Sequence, residues 1–156
     1  EYGVPVRIAR LSQVFGAGVL EQDRRVFMYL AKKAMKKEDI VLMTDGKSKR
    51  MYTYTTDVAA ALLCLLIKGE AGAAYNVANK ETYCSVFEMA NAVANTFSDG
   101  QSRVIVSADE NVGSKLYPPD SYWMLDVSKM ENLGWKATTG LLEMYKRMMA
   151  TLKERS

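Results

Sequence analysis

Histidine is absent from all 156 residues. Its absence removes the Ser-His-Asp and Cys-His arrangements of nucleophilic catalysis and most catalytic zinc sites. Cysteine is scarce: Cys64 and Cys84 stand in or beside apolar segments without Cys-x-x-Cys spacing, so neither a disulfide framework nor a zinc site has support. The longest strongly apolar stretch, 58–67, is about half of what a membrane-spanning helix needs. The start, Glu1-Tyr2-Gly3-Val4-Pro5, carries no signal-peptide pattern, which makes a reducing cytoplasm the expected compartment. It also lacks an initiating methionine and reads as the lead-in to a strand, so the chain is expected to be a fragment. Charge of one sign is missing too: 21 Lys and Arg against 18 Asp and Glu leave +3. That balance suits an anionic small ligand and falls far short of a nucleic-acid binder.

What remains is an ordinary globular composition, 49% hydrophobic and 25% charged, enough for one core. Residues 4–10 alternate as a strand and Gly16-Ala17-Gly18 breaks it into a loop. A helix is expected over 23–37, with Val26, Phe27, Leu30 and Ala34 inward and Lys32, Lys33, Lys36 and Lys37 as a solvated face. Residues 40–43 and 50–54 read as a hairpin-like strand pair around the turn 44–47. Thr55 or Thr56 is the expected cap of the next helix, Gly69 its end, and the nearly all-apolar run 58–67 predicts burial against a sheet.

A brief strand follows at 74–78. Ser85 and Glu88 then have capping-box spacing for a helix reaching Phe97, whose expected buried stripe includes Phe87. Further on, 103–107 reads as a strand, 111–122 as a polar loop and 123–126 as a short extended piece. Ser128 and Glu131 repeat the capping-box spacing for a short helix stopping at Gly134. The last helix carries Leu141, Leu142, Met144, Tyr145, Met148, Met149 and Leu152 at helical spacing, so the methionines serve as core filler. Strands alternating with helices predict an α/β fold.

Three segments carry a resemblance. Val6-Arg7-Ile8-Ala9-Arg10-Leu11-Ser12-Gln13-Val14-Phe15-Gly16 is similar to a strand ending in Arg followed by a hydrophobic-x-Asn-Val-Tyr-Gly loop. Asp45-Gly46-x-x-x-Arg50-x-x-x-Tyr54-x-x-Asp57-Val58-Ala59 is similar to a Gly-(x)-Arg-Asp-x-x-Tyr-Val-x-Asp-Val-Ala segment. Leu125-Asp126-Val127-Ser128-Lys129 with Leu133-Gly134-Trp135-Lys136 is similar to Leu-Asp-x-Ser-Lys followed by Leu-Gly-Trp-x-Pro. In this order, with Tyr75-Asn76-Val77-Ala78 between the second and third, they resemble the second half of the extended short-chain dehydrogenase/reductases, the NAD(P)-dependent nucleotide-sugar epimerase/dehydratase family.

The resemblance implies the last strands of a Rossmann-like doubly wound sheet plus a small substrate-binding lobe, spanning 1–156, with the amino-terminal NAD(P)-binding part absent. It implies that Ser12 and Val14 line the cofactor and that Gln13 and Arg50 contact a nucleotide-sugar, Arg50 at the diphosphate. A guanidinium is permanently charged and its forked donors fit phosphate, each charge-assisted bond contributing roughly 1.5–3 kcal/mol. The alternative for Arg50 is a surface ion pair with Asp45 or Asp57. Gln13 stands where the family has Asn, and 120–124 lacks the further phosphate-facing Arg common there. Tyr122 and Trp123 are read as packing residues in preference to a base-stacking role.

The family's Gly-x-x-Gly-x-x-Gly turn and catalytic Tyr-x-x-x-Lys pair are both missing, because Gly16-x-Gly18 lacks its third glycine and Tyr29-x-x-x-Lys33 falls after the Arg10 strand. No catalytic or metal residue is therefore assigned. NAD or NADP is expected in the full-length protein and none on this piece, which is expected to be inactive alone. A non-catalytic ligand- or partner-binding protein on the same fold is the alternative. No nucleic acid or membrane partner is expected. The strand edge at 4–10 predicts either a homo-oligomer paired through it, two-fold in its soluble form, or aggregation.

Overall fold

The computed structural model of the protein describes residues 3–107 and 119–155. Its order is β1(Ile8–Leu11), β2(Gln13–Phe15), α1(Val26–Met35), β3(Ile40–Leu42), β4(Lys49–Tyr54), α2(Thr55–Lys68), β5(Ala74–Val77), β6(Asn79–Ser85), α3(Val86–Phe97), β7(Val104–Val106), α4(Ser128–Asn132) and α5(Leu141–Arg155). β1 pairs parallel with β5, and β3 parallel with β7. β4 lies between β2, parallel, and β6, antiparallel. The α/β reading holds.

The main core joins α1, α3 and α5 to β2, β3 and β4 through Phe15, Phe27, Leu30, Tyr52, Met89 and Met148, among others. Phe15 is its hub, stacked on Phe27 at 4.4 Å and edge-on to Tyr145 at 5.1 Å. A second core sets α2 against β5, with Val58, Ala61 and Leu65 meeting Tyr75, Val77, Met130 and Trp135.

The expected hairpin at 40–54 does not form. The turn between the two strands instead docks on the start of α3: Phe87 N–H donates to Gly46 O at 3.0 Å and Val86 N–H to Ser48 O at 3.2 Å. Amides that the helix leaves unpaired thereby take up the turn's carbonyls, and β3 and β4 part into different sheets. β6, which the sequence reading lacks, fills the place beside β4.

Helix ends follow local chemistry in two places. Ser85 Oγ accepts from Glu88 N at 3.0 Å while Glu88 Oε2 accepts from Ser85 N at 2.7 Å, the reciprocal box expected. Gly134, at φ 85°, ends α4: its N–H reaches Glu131 O, and Trp135 N–H reaches Met130 O while both of those side chains enter the second core.

Elsewhere the cap differs from expectation. α2 starts after Tyr54 with no side-chain bond from Thr55 or Thr56. At α4 the cap is Val127, and Ser128 N–H donates to Asp126 Oδ1 at 2.9 Å, which holds Asp126 below the usual carboxylate range. Glu131 pairs instead with Lys80 at 2.7 Å.

The apolar run in α2 is not buried all round. One stripe packs, but Leu62, Leu63, Leu66 and Ile67 are exposed, as are Phe87 on α3 and Leu142 on α5. No neighbouring element covers that side of α2 among the described residues. Residues 123–126 form no strand, and the expected loop at 111–122 lies, up to residue 118, outside the described residues. Among the described residues no helix is long and apolar enough to cross a membrane, and no group of His, Cys, Asp and Glu could hold a metal ion.

Candidate functional site

The site gathers at the beginning of β4. Lys49 N–H donates to Ser121 O at 2.9 Å and Trp123 N–H donates to Lys49 O at 3.1 Å, a parallel bridge that brings 121–123 beside the strand. Ser48 Oγ donates to Asp120 Oδ1 at 2.9 Å, and Leu125 N–H approaches Met51 Sδ at 3.1 Å, extending the attachment both ways. Arg50 is half-buried against this piece. Its Nη2 donates to Ser121 Oγ at 2.7 Å, its Nη1 points at the Ser121 and Lys49 carbonyls at 3.4 Å each, and its guanidinium lies 5.7 Å from the centre of the Trp123 ring.

Neither acid proposed as its partner reaches it. Asp45 pairs with Lys47. Asp57 accepts from Thr138 and Thr139 instead. Among the described residues no carboxylate lies within salt-bridge distance of Arg50, whose fork is met by the Ser121 hydroxyl and two carbonyls. The neighbouring lysine behaves differently: Lys49 reaches Glu88 at 3.5 Å.

The three adjacent residues of the β1–β2 junction separate in role. Ser12 Oγ shares a 2.6 Å hydrogen bond with Thr53 Oγ1, whose residue is fully buried. Val14 packs against the second core, and its carbonyl accepts from Arg25 Nη1 at 3.2 Å. Gln13 stands opposite Tyr52, two residues along β4 from Arg50, and its Oε1 is buried with no hydrogen-bond partner among the described residues. A buried amide oxygen left unpaired is destabilising by roughly 1–3 kcal/mol, a deficit that a ligand donor would relieve.

Two further titratable groups nearby are held in their neutral forms. Burial pushes the Cys84 thiol up to about 11, and burial likewise raises the Tyr52 phenol. Tyr29 uses its hydroxyl on both backbone groups of Val41 at 3.0 Å, and Lys33 pairs with Glu38 at 2.6 Å, so that Tyr-x-x-x-Lys spacing is structural. Gly16 does not open a phosphate cradle, since a Cβ there would lie 2.4 Å from the Tyr54 ring. Its conformational role is close packing. Ser121, which holds Arg50, has no local sequence signal; it lies 71 residues away. Trp123 is mostly solvent-exposed and does not pack as expected.

Parallel strand pairs connected through helices define an α/β protein, and a guanidinium with no carboxylate partner among the described residues stands at the beginning of one strand. The sequence profile of the NAD dependent epimerase/dehydratase family matches residues 1–78, half of the chain, and the chain belongs to that family.

Among curated relatives, a trifunctional UDP-glucose 4,6-dehydratase/UDP-4-keto-6-deoxy-D-glucose 3,5-epimerase/UDP-4-keto-L-rhamnose-reductase of Arabidopsis thaliana is 30% identical, over 95% of this chain and 21% of its own length. A putative UDP-glucose 4-epimerase of Methanocaldococcus jannaschii is 29% identical, over 97% and 47%. Of solved structures, the UDP-glucose 4-epimerase of Thermotoga maritima with UDP-glucose superposes with TM-score 0.82 at 20% identity, over 99% of this chain and 48% of that one. The Pseudomonas aeruginosa protein RMD, complexed with NADPH, gives TM-score 0.78 at 19% identity, over 99% and 50%. The fold is that of Rossmann-like epimerases. The chain spans about a fifth to a half of the length of these relatives.

Proposed function

We propose that these 156 residues form the substrate-binding part of an NAD(P)-dependent nucleotide-sugar epimerase or dehydratase acting in the cytoplasm, and that they do not turn over substrate alone. The observation that carries the reading is Arg50: a half-buried guanidinium fixed by Ser121, without a carboxylate partner among the described residues, in the segment matched to the family. Its fork holds the diphosphate. The unpaired Gln13 Oε1 takes a hydroxyl or amide donor from the ligand. Ser12 and Val14 form one wall of the nicotinamide site, with Ser12 held in place by Thr53. NAD(P), when bound, supplies hydride transfer at a sugar carbon. Gly16 is packed against the Tyr54 ring and offers no room for a pyrophosphate beside it.

Two arms test this. Calorimetric titration of the 156-residue chain with UDP-glucose is expected to give saturable binding, and with NAD or NADP added the UDP-glucose is expected to remain unconverted. Absence of binding, or turnover by this chain alone, overturns the reading.

The oligomer belongs to the same proposal. Among the described residues β1 is hydrogen-bonded on one edge only, and Val4, Val6 and Ile8 are exposed there. Arg7 Nε donates to Gly69 O at 3.0 Å, which sets the end of α2 against that segment and joins the exposed Leu66 and Ile67 to the same apolar surface. Two-fold pairing of the β1 edges covers it. Sedimentation velocity is expected to show a dimer that Ile67→Glu dissociates. A monomer at every concentration contradicts the pairing.

A further inference from the structure

At its far end from the β4 site, α3 opens on a cleft of about 440 Å³, within the roughly 300–1,000 Å³ usual for small-molecule sites. Its apolar floor is Met35 at the end of α1, Phe97 at the end of α3 and Met149 of α5. Phe97 is backed by Tyr145, ring centres 6.4 Å apart, so the floor is held from beneath. On the α5 wall Lys146, Ala150 and Lys153 stand at i, i+4 and i+7, one helix face with an ammonium at each end. Lys146 reaches Glu143 only at 4.0 Å, and Arg147 holds that carboxylate at 2.7 Å. Among the described residues Lys153 meets no carboxylate within ion-pair distance.

The mouth of the cleft carries strained backbone. Among the described residues only Lys37 and Asp99 have positive φ without being glycine, at 59° and 53°, and their side chains pair with each other at 2.9 Å. Aspartate tolerates that region, but Lys37 stands just past α1 where glycine is the usual residue. An exposed ion pair returns too little stability to offset such strain, and strained residues gather where ligands are clamped. Lys37 holds the Asp99 carboxyl below the usual carboxylate range, and Lys153 adds to the effect more weakly from α5. The ends of α1 and α3 contribute fractional negative charge, against which three ammonium groups and one carboxylate leave the rim cationic. We propose that this cleft binds a small amphiphilic anion of the medium-chain carboxylate class: its alkyl chain lies on Phe97 and Met149, and its carboxylate meets Lys153 and displaces Asp99 from Lys37. None of these residues belongs to the β4 site, so the proposal stands or falls independently of the function proposed above.

Calorimetric titration of the 156-residue chain with octanoate is expected to show saturable binding. Octylammonium, which reverses the charge, and acetate, which lacks the chain, are expected not to bind. Lys153→Ala is expected to weaken octanoate about three- to fivefold. Ala150→Trp places a large side chain in the cleft from an exposed position and is expected to abolish binding. Asp99→Asn keeps a residue suited to its φ of 53° while releasing Lys37, and is expected to tighten octanoate about two- to fivefold, a gain that a purely structural ion pair does not give. Leu63→Glu, on the exposed apolar side of α2, is expected to leave the affinity unchanged, and circular dichroism checks that each variant folds. Absence of saturable octanoate binding, or equal binding of octylammonium, overturns the proposal. So does binding that survives Ala150→Trp, or that Asp99→Asn weakens. UDP-glucose affinity that persists in Ala150→Trp is the expected sign that the two sites are separate.

Discussion

Replacing Arg50 with alanine is expected to weaken UDP-glucose binding by roughly 2–3 kcal/mol, about 30- to 150-fold. The size follows from the loss of a forked, charged donor pair that no described neighbour replaces: Lys49, the adjacent cation, reaches Glu88 and lies over the Tyr83 ring. Arg50→Lys is expected to recover only part of the loss, because an ammonium keeps the charge but cannot present two parallel donors. The substitution also frees Ser121 Oγ. That part-buried, charge-assisted contact is worth roughly 1.5–3 kcal/mol, so denaturant unfolding is needed to separate a binding defect from an unstable site. Unchanged calorimetric affinity in Arg50→Ala would remove the residue from the ligand site.

Asp57→Ala is expected to cost stability of about 3–4 kcal/mol, lowering the thermal midpoint by roughly 10 °C. The Asp57 carboxylate is buried and accepts from Thr138 N at 3.2 Å, Thr139 N at 3.0 Å and Thr138 Oγ1 at 3.0 Å. Asn79 Nδ2 donates to Thr139 O at 2.9 Å from the other side. Residue 139 is thereby held on both sides just before α5, the helix that closes the main core with Met144, Tyr145 and Met148. Alanine leaves two backbone amides without their acceptor, one of them in a buried hydrogen bond, and loosens the approach to α5. Asp57→Asn keeps one acceptor oxygen and is expected to lose less. Urea unfolding monitored by circular dichroism measures both, and a loss below about 1 kcal/mol in Asp57→Ala would show that the segment is anchored otherwise.

Asp57 also shows how far a motif can be read. Its place in the Tyr-x-x-Asp-Val-Ala segment is plain in the sequence, and a carboxylate in the first turn of a helix invites a capping role. The cap is absent, because the carboxylate reaches 81 and 82 residues along the chain and leaves its own helix start to other groups. Arg50 was legible by the same segment, but its holder Ser121 and its neighbour Trp123 were not, since both come to it through a bridge 71 or more residues away. Gln13 was singled out by resemblance. That its amide oxygen is buried without a partner is a property of the packing around it.

What the chain determined by itself were the features made by residues within a few positions of one another. The reciprocal Ser85–Glu88 cap, the Gly134 helix end and the inward stripe of Met144, Met148, Met149 and Leu152 depend only on backbone amides and side chains one helical turn apart. Tertiary structure decided everything that needed a distant partner. β3 and β4 separated because the turn between them found the start of α3, and the apolar residues of α2 divided into buried and exposed according to which elements stood against them. A hydrophobic side chain encodes a tendency to leave water, but which surface covers it is a property of the assembled molecule.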